Sequence, residues 1–342
     1  MLIEWIGTLT LPWAMAVGVA AMVLLVLSSN LAVQKLVDLA VYLGLSATFM
    51  GMTVVSLATS IPEITAHVTA SAGILSGTLD FKIGSAIVLG SNIGSDVVQQ
   101  TVVLGLVVWM ARTLYFRRYF LWKSMIPMIA STALCLLLGW DGIYSRLDGA
   151  ILFGIFLAYT WYLYRDERRH YHAVPGDRHT DQPAITTAAQ AWGAAALTLL
   201  AMTATVLSAQ MALGVIERVV NDTGVGGSLI GVVTLGIASA LPELTTALAG
   251  ARRDATGISL GTLVGSNITN PLVAIGLGSL VSTFAVPRPL LVWDLPWEMV
   301  TGALLMGFLL WRKGRIGRIG AFYFISLYAI YVICRALFFA VD

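Results

Sequence analysis

Apolar residues run through this chain in long blocks. Ten stretches of roughly 20 residues or more carry few charges: 11–42, 46–75, 82–110, 120–139, 146–164, 188–216, 227–251, 257–282, 290–311 and 319–340. An α-helix rising ~1.5 Å per residue needs about that length to cross a hydrocarbon core of ~30 Å. Strands of a membrane barrel would instead alternate polar with apolar positions. The pattern predicts an all-α polytopic membrane protein with ten transmembrane helices. The first block follows Glu4 and no basic residue, so it reads as a retained helix and not as a cleaved leader.

Composition agrees. The 342 residues are 58% hydrophobic and 11% charged, with a mean hydropathy of +0.85. Soluble domains carry about twice that charged share. Cys135 and Cys334 lie inside apolar blocks with no CxxC or Cys/His cluster, and read as ordinary core thiols. The positions of the basic residues say more than the net charge of +2. If the ten blocks alternate in direction, 15 of the 20 Lys and Arg residues share one side. They include Lys35, Arg117, Arg118, Lys123, Arg165, Arg168, Arg252, Arg312 and Lys313. Lys82, Arg146, Arg218, Arg288 and Arg335 remain for the other side. The positive-inside rule then makes the odd-numbered turns cytoplasmic and both termini external, in a plasma (inner) membrane.

The one long polar stretch, "RDERRHYHAVPGDRHTDQP" at 165–183, holds three of the four histidines and reads as a solvated connector. It divides the chain into a first repeat at 1–164, a cytoplasmic linker at 165–186 and a second repeat at 187–342. Five spans per half is odd, so the second half starts from the opposite face, and related halves are inverted repeats. They are related. "GLSATFMGMTVVSLATSIPEIT" (44–65) aligns without a gap on "GVGGSLIGVVTLGIASALPELT" (224–245), and "VLGSNIGSD" (88–96) is followed in the second half by "LVGSNITNP" (263–271).

Pro62 and Pro242 interrupt helices 2 and 7 in this reading, freeing carbonyls around Ala58 and Thr59 and around Ala238 and Ser239. Such groups must face protein or a watery cavity. Glu63 and Glu243 follow at once, although a charge at a helix centre costs about 2.5–3.5 kcal/mol on insertion scales. Carbonyls, hydroxyls and two carboxylates form an all-oxygen set suited to a hard cation such as calcium. Gly84, Gly90 and Gly94 suit close helix packing, while Ser91, Asn92, Ser266 and Asn267 can project into the site. Asp96 is the third intramembrane acid of this reading, on a polar stripe with Asn92, Gln99 and Gln100.

"ATSIPE" and "ASALPE", each followed by "GSNI", resemble the paired alpha repeats of the sodium/calcium exchangers within the cation/calcium antiporter superfamily. The resemblance implies Glu63 and Glu243 as central calcium ligands, with the backbone carbonyls of Thr59 and Ser239. It implies sodium positions at Ser60, Ser91 and Ser266 and at the backbone of Ser56 and Gly236. Three departures stand out. Ala240 replaces a hydroxyl in the second repeat, and Ser95 and Asn270 fill the place of the family's Asn or Asp, with Asp96 one residue on. A shift of one residue turns a side chain by about 100°, so Asp96 either enters the site or lines a path beside it. His67, one turn beyond Glu63, reads first as a packed histidine and second as a proton-coupling group.

The expected function is secondary-active antiport by alternating access, sodium against calcium, with no enzymatic activity, cofactor or nucleic-acid partner. Calcium and sodium are the expected substrates; the oligomeric state stays open, with a monomer compatible with one chain supplying both walls. An exchanger of the same architecture driven by protons, or carrying another divalent cation, is the alternative. A passive channel fits the internal repeat less well.

Overall fold

A computed structural model describes residues 6, 9–42, 53, 56–116, 121–170, 185–252 and 256–342. Helices dominate. The first half contains α1 (Leu11–Tyr42), α2 (Ser56–Thr59), α3 (Ile61–Ser76), α4 (Phe81–Val98), α5 (Leu104–Ala111), α6 (Ile126–Leu138) and α7 (Arg146–His170). The second contains α8 (Ala188–Thr223), α9 (Gly227–Val233), α10 (Leu235–Ser239), α11 (Leu241–Arg252), α12 (Thr256–Thr269), α13 (Gly276–Val281), α14 (Leu295–Trp311) and α15 (Arg318–Phe338). Eight helical stretches among the described residues are long and apolar enough to cross a membrane. The two expected spans outside that set are 46–75, partly beyond the described residues, and 290–311, which carries two acids discussed below.

Several expected boundaries move. Helix α7 continues to His170, so the polar connector begins as helix, and its remainder up to 184 falls outside the described residues. Helix α8 reaches Thr223, beyond the expected 216, and stops at Gly224, whose φ of 68° suits a glycine. Its start is fixed by Thr187 and Gln190 in a reciprocal capping box.

The element order recurs between halves. A π-helical turn follows α4 at Gln99–Val103 and α12 at Asn270–Ile275. Another precedes α6 at Leu121–Met125 and α14 at Leu290–Asp294. Pro127 and Pro296 both sit in the first turn of the helix that follows, where a missing N–H costs nothing. Two short antiparallel ladders cross between halves. β1 (Thr113–Tyr115) pairs with β4 (Arg315–Gly317), and β2 (Ile143–Tyr144) pairs with β3 (Phe284–Ala285). The segment after α5 therefore lies beside the one before α15, and the segment before α7 beside the one after α13.

The centre is built by close approach between halves. A Cβ on Gly90 would lie 2.2 Å from the carbonyl oxygen of Ser228, and one on Gly231 would lie 2.2 Å from that of Ile87. Gly94 meets Val232 Cα at 2.7 Å by the same measure. Only glycine at these crossings lets α4 and α9 touch backbone to backbone. From Gly84 to Val98 every residue of α4 is buried. Helices α1 and α8 run side by side outside this centre, joined by a 2.9 Å Ser28–Thr205 hydroxyl contact, and turn Trp13, Leu24, Trp192 and Leu199 outward.

Candidate cation site

Each broken helix restarts just before its Pro-Glu pair. Helix α2 ends at Thr59, one residue intervenes, and α3 begins at Ile61; α10 ends at Ser239 and α11 begins at Leu241. The interruption expected at each proline falls two residues earlier, at Ser60 and Ala240. Pro62 and Pro242 stand in the first turn of a new helix, where the ring is tolerated and no N–H is needed. The second half has an additional break at Thr234, with φ −116° and ψ −80°, which the sequence reading did not anticipate. Its first-half counterpart lies outside the described residues.

Glu63 and Glu243 are both buried and within electrostatic range of each other. The halves interlock around them. The hydroxyl of Ser239 stands next to Glu63, and those of Thr59 and Ser266 next to Glu243. Thr59 and Ser239 are equivalent positions of the repeat, so each acid faces the hydroxyl that precedes its counterpart by four residues. Ser95 donates to Glu63 Oε1 at 2.7 Å. Glu63 Oε2 and both carboxylate oxygens of Glu243 have no hydrogen-bond partner, nor has the Ser60 hydroxyl. Buried acceptors without donors are rare in folded proteins.

The other expected residues gather around this pair. Thr59 Oγ1 lies 3.0 Å from Ser266 Oγ, and Ser56 Oγ lies 2.8 Å from Thr269 Oγ1, tying α2 to α12. Gly236 packs against Ser91 and Ser95: a Cβ there would sit 2.9 Å from the Ser91 carbonyl oxygen and 3.0 Å from the Ser95 nitrogen. Ser239 Oγ donates to the Gly236 carbonyl at 3.4 Å. Among the described residues no three His, Cys, Asp or Glu side chains converge as a metal-binding group. A cation held between Glu63 and Glu243 would have hydroxyls and backbone carbonyls as its further donors, a set that suits a hard ion.

Asp96 is held by contacts from the second half. Asn270 Nδ2 donates to Asp96 Oδ1 at 2.7 Å, and Asn92 Nδ2 donates to the Asn270 carbonyl at 3.2 Å. Asp96 is within electrostatic range of Glu63, Glu243 and Glu298, so it stands beside the central pair and away from lipid. Its stripe partners form a continuous chain. Gln99 donates to Ser95 at 3.0 Å, Asn267 to Gln99 at 3.0 Å, Gln100 to Asn267 at 2.8 Å, and Thr301 to Gln100 at 2.8 Å. His67 is fully buried, with Nδ1 2.8 Å from the Glu63 carbonyl oxygen and its ring edge-on to Phe284 at 5.7 Å. Its Nε2 has no partner. The packed reading of His67 accounts for these contacts.

Sequence reading missed two buried acids and the burial of one base. Asp294 and Glu298 are buried, so Asp96 is not the last intramembrane acid. Arg335 is also fully buried: its Nε reaches Asp294 Oδ2 at 2.9 Å, while Tyr331 donates to Asp294 Oδ1 at 2.6 Å. Arg335 also donates to Ser228 Oγ, and Ser228 to Asp342. Glu298 accepts from Thr132 at 2.6 Å. The available signal was "DLPWE" (294–298), another acid close behind a proline in apolar sequence.

The sequence profile described as sodium/calcium exchanger protein matches residues 13–165 and 193–337, one stretch on each side of the polar connector. Inner membrane protein YrbG of Escherichia coli (strain K12) is 26% identical over 281 residues, which cover 79% of this chain and 80% of YrbG. The structure of the sodium-calcium exchanger NCX_Mj superposes with a TM-score of 0.62 at 22% identity, covering 95% of this chain and 98% of that one. That of the H+/Ca2+ exchanger CAX superposes with a TM-score of 0.72 at 16% identity, covering 97% of this chain and 91% of that one. Likeness at such identities is likeness of fold, and the fold is one used by exchangers. With most of its length inside the two matched stretches, the chain belongs to the sodium/calcium exchanger protein family and is an integral membrane protein.

Proposed function

We propose that the protein is a secondary-active antiporter that exchanges sodium for calcium by alternating access. Ten spans form two inverted five-helix repeats, 1–164 and 187–342, joined by a cytoplasmic linker at 165–186, with both termini on the external face of an inner membrane. One observation carries the reading: two buried glutamates from equivalent positions of the two halves, each beside a hydroxyl of the other half, with three of their four carboxylate oxygens unpartnered. Calcium binds between Glu63 and Glu243, aided by the Thr59 and Ser239 carbonyls. Ser56, Ser60, Ser91, Ser95, Gly236, Ser266, Asp96 and Asn270 supply the surrounding oxygen ligands for sodium. Carbonyl-rich, adaptable coordination favours calcium over magnesium, which demands small octahedral geometry.

A proton-coupled exchanger is the second reading. It is supported by the TM-score of 0.72 to the H+/Ca2+ exchanger CAX and by Ala240, which removes a hydroxyl expected of a sodium position. In proteoliposomes an outward sodium gradient drives calcium uptake if the first reading holds. Uptake that ignores sodium and follows a pH gradient selects the second. Glu63→Gln and Glu243→Gln each abolish exchange while the protein remains folded in the membrane, and full exchange in both variants rejects the site.

A further inference from the structure

The apolar surface where α14 meets α15 is not flat. Val300, Leu304, Gly307 and Trp311 of α14, with Ile319 and Tyr323 of α15, line a groove of about 610 Å³. It is open at Gly307, where a Cβ would meet no atom within 4 Å. From Val300 to Trp311 the groove follows α14 for about 16 Å, at ~1.5 Å per residue. Half of a ~30 Å hydrocarbon core is ~15 Å. The groove therefore has the reach of one acyl chain in one leaflet.

One end of it is strongly basic. Arg312 follows Trp311 and lies over its ring, 5.7 Å from the centroid. Arg318 precedes Ile319 and lies over the ring of Trp109 in α5, at 5.3 Å. Between them, the ladder of β1 and β4 sets Arg315 opposite Tyr115, and Lys313 stands in the turn after α14. All four cations are exposed, and among the described residues none has a carboxylate partner. The chain offers no acid nearby in sequence either: 97–140 and 299–341 contain no Asp or Glu. Like charges gathered without an acid attract an anion. The positive-inside bias accounts for basic turns, but not for a groove of chain length that ends at them. Indole rings at the junction, Trp311 and Trp109, mark where hydrocarbon gives way to headgroups.

We propose that the groove between α14 and α15 binds one acyl chain of an anionic phospholipid, whose phosphate is held by Arg312, Arg318, Lys313 and Arg315. Guanidinium forks suit phosphate oxygens, and basic pockets between membrane helices are a recurrent headgroup site. The proposal needs only that the chain spans a membrane, and stands whichever ions it carries.

The test is binding, with the purified full-length chain in detergent. Melting temperature is followed as phosphatidylglycerol or phosphatidylcholine with the same acyl chains is added, because a ligand of the folded state raises it. Phosphatidylglycerol raises it saturably, at concentrations where phosphatidylcholine and the chainless headgroup glycerol phosphate do not. With Arg312→Gln and Arg318→Gln combined, the half-saturating phosphatidylglycerol rises at least about tenfold, the loss of roughly 1.4 kcal/mol of binding. Gly307→Leu fills the groove and replaces a residue that weakens helices; its basal melting temperature holds or rises while the lipid response disappears. Should one variant lack a cooperative transition, the other decides by the same criterion. Equal responses of the wild-type protein to the two lipids overturn the proposal, as do wild-type curves in the variants. An equal response to glycerol phosphate overturns it too, leaving a free-anion site. So does a dimer in light scattering that Gly307→Leu dissociates, which would assign the groove to a second copy of the chain.

Discussion

Replacing Arg335 by methionine tests how the N-terminal end of α9 is held. Arg335 and Asp294 are each 0% exposed, 2.9 Å apart, and Tyr331 shares the carboxylate. Arg335→Met leaves Asp294 buried without its counter-charge, which costs about 3–5 kcal/mol. Loss of the donor to Ser228 adds a smaller amount. By size scaling this lowers the melting temperature on the order of 10 °C. Asp294→Asn alone strands the guanidinium and is comparably damaging. The double variant removes both charges and keeps an acceptor for Tyr331, so it recovers most of the loss. The cycle is read from thermal unfolding in detergent for the four proteins, and a coupling of at least about 2 kcal/mol is expected. A double variant no more stable than the worse single one refutes the reasoning, because the pair would then not be held by mutual neutralisation.

Two further outcomes follow from contacts at the centre. Gly90→Ala places a methyl group 2.2 Å from the Ser228 carbonyl oxygen, so α4 and α9 must part by roughly 1 Å; overpacking of this kind costs about 1–3 kcal/mol. Calcium uptake and melting temperature both fall, and unchanged values in both would show that the crossing is looser than described. Ser95→Ala removes the donor to Glu63 Oε1 and the acceptor for Gln99. The calcium concentration for half-maximal uptake rises about tenfold, in line with the roughly 1–3 kcal/mol cost of stranding buried polar groups, and a shift below about twofold would count against Ser95 as an orienting group.

Eight of the ten expected spans were legible in the sequence because membrane helices must be long, apolar and internally hydrogen-bonded. The Pro-Glu repeat likewise exposed the central acids, since two carboxylates in apolar surroundings have few structural excuses. The exact helix starts were harder. A proline reads the same whether it kinks a helix or opens one, and only the backbone at Ser60 and Ala240 decides. The break at Thr234 has no sequence mark, because its neighbours are ordinary apolar residues. Asp294, Glu298 and Arg335 sit near span ends, where charge usually means contact with headgroups. Their burial depends on which helices surround them, and a single sequence does not contain that information. Gln99 and Gln100 were recognisable as a stripe, but the chain they form through Asn267 to Thr301 needed the fold.

The ladders joining β1 to β4 and β2 to β3 act as a stitch at each rim, fastening the two halves where they would otherwise be free to swing. Swinging the halves apart would break the backbone hydrogen bonds of at least one ladder. In the exchanger proposed above, a movement that leaves both ladders paired is therefore favoured over one that parts the halves.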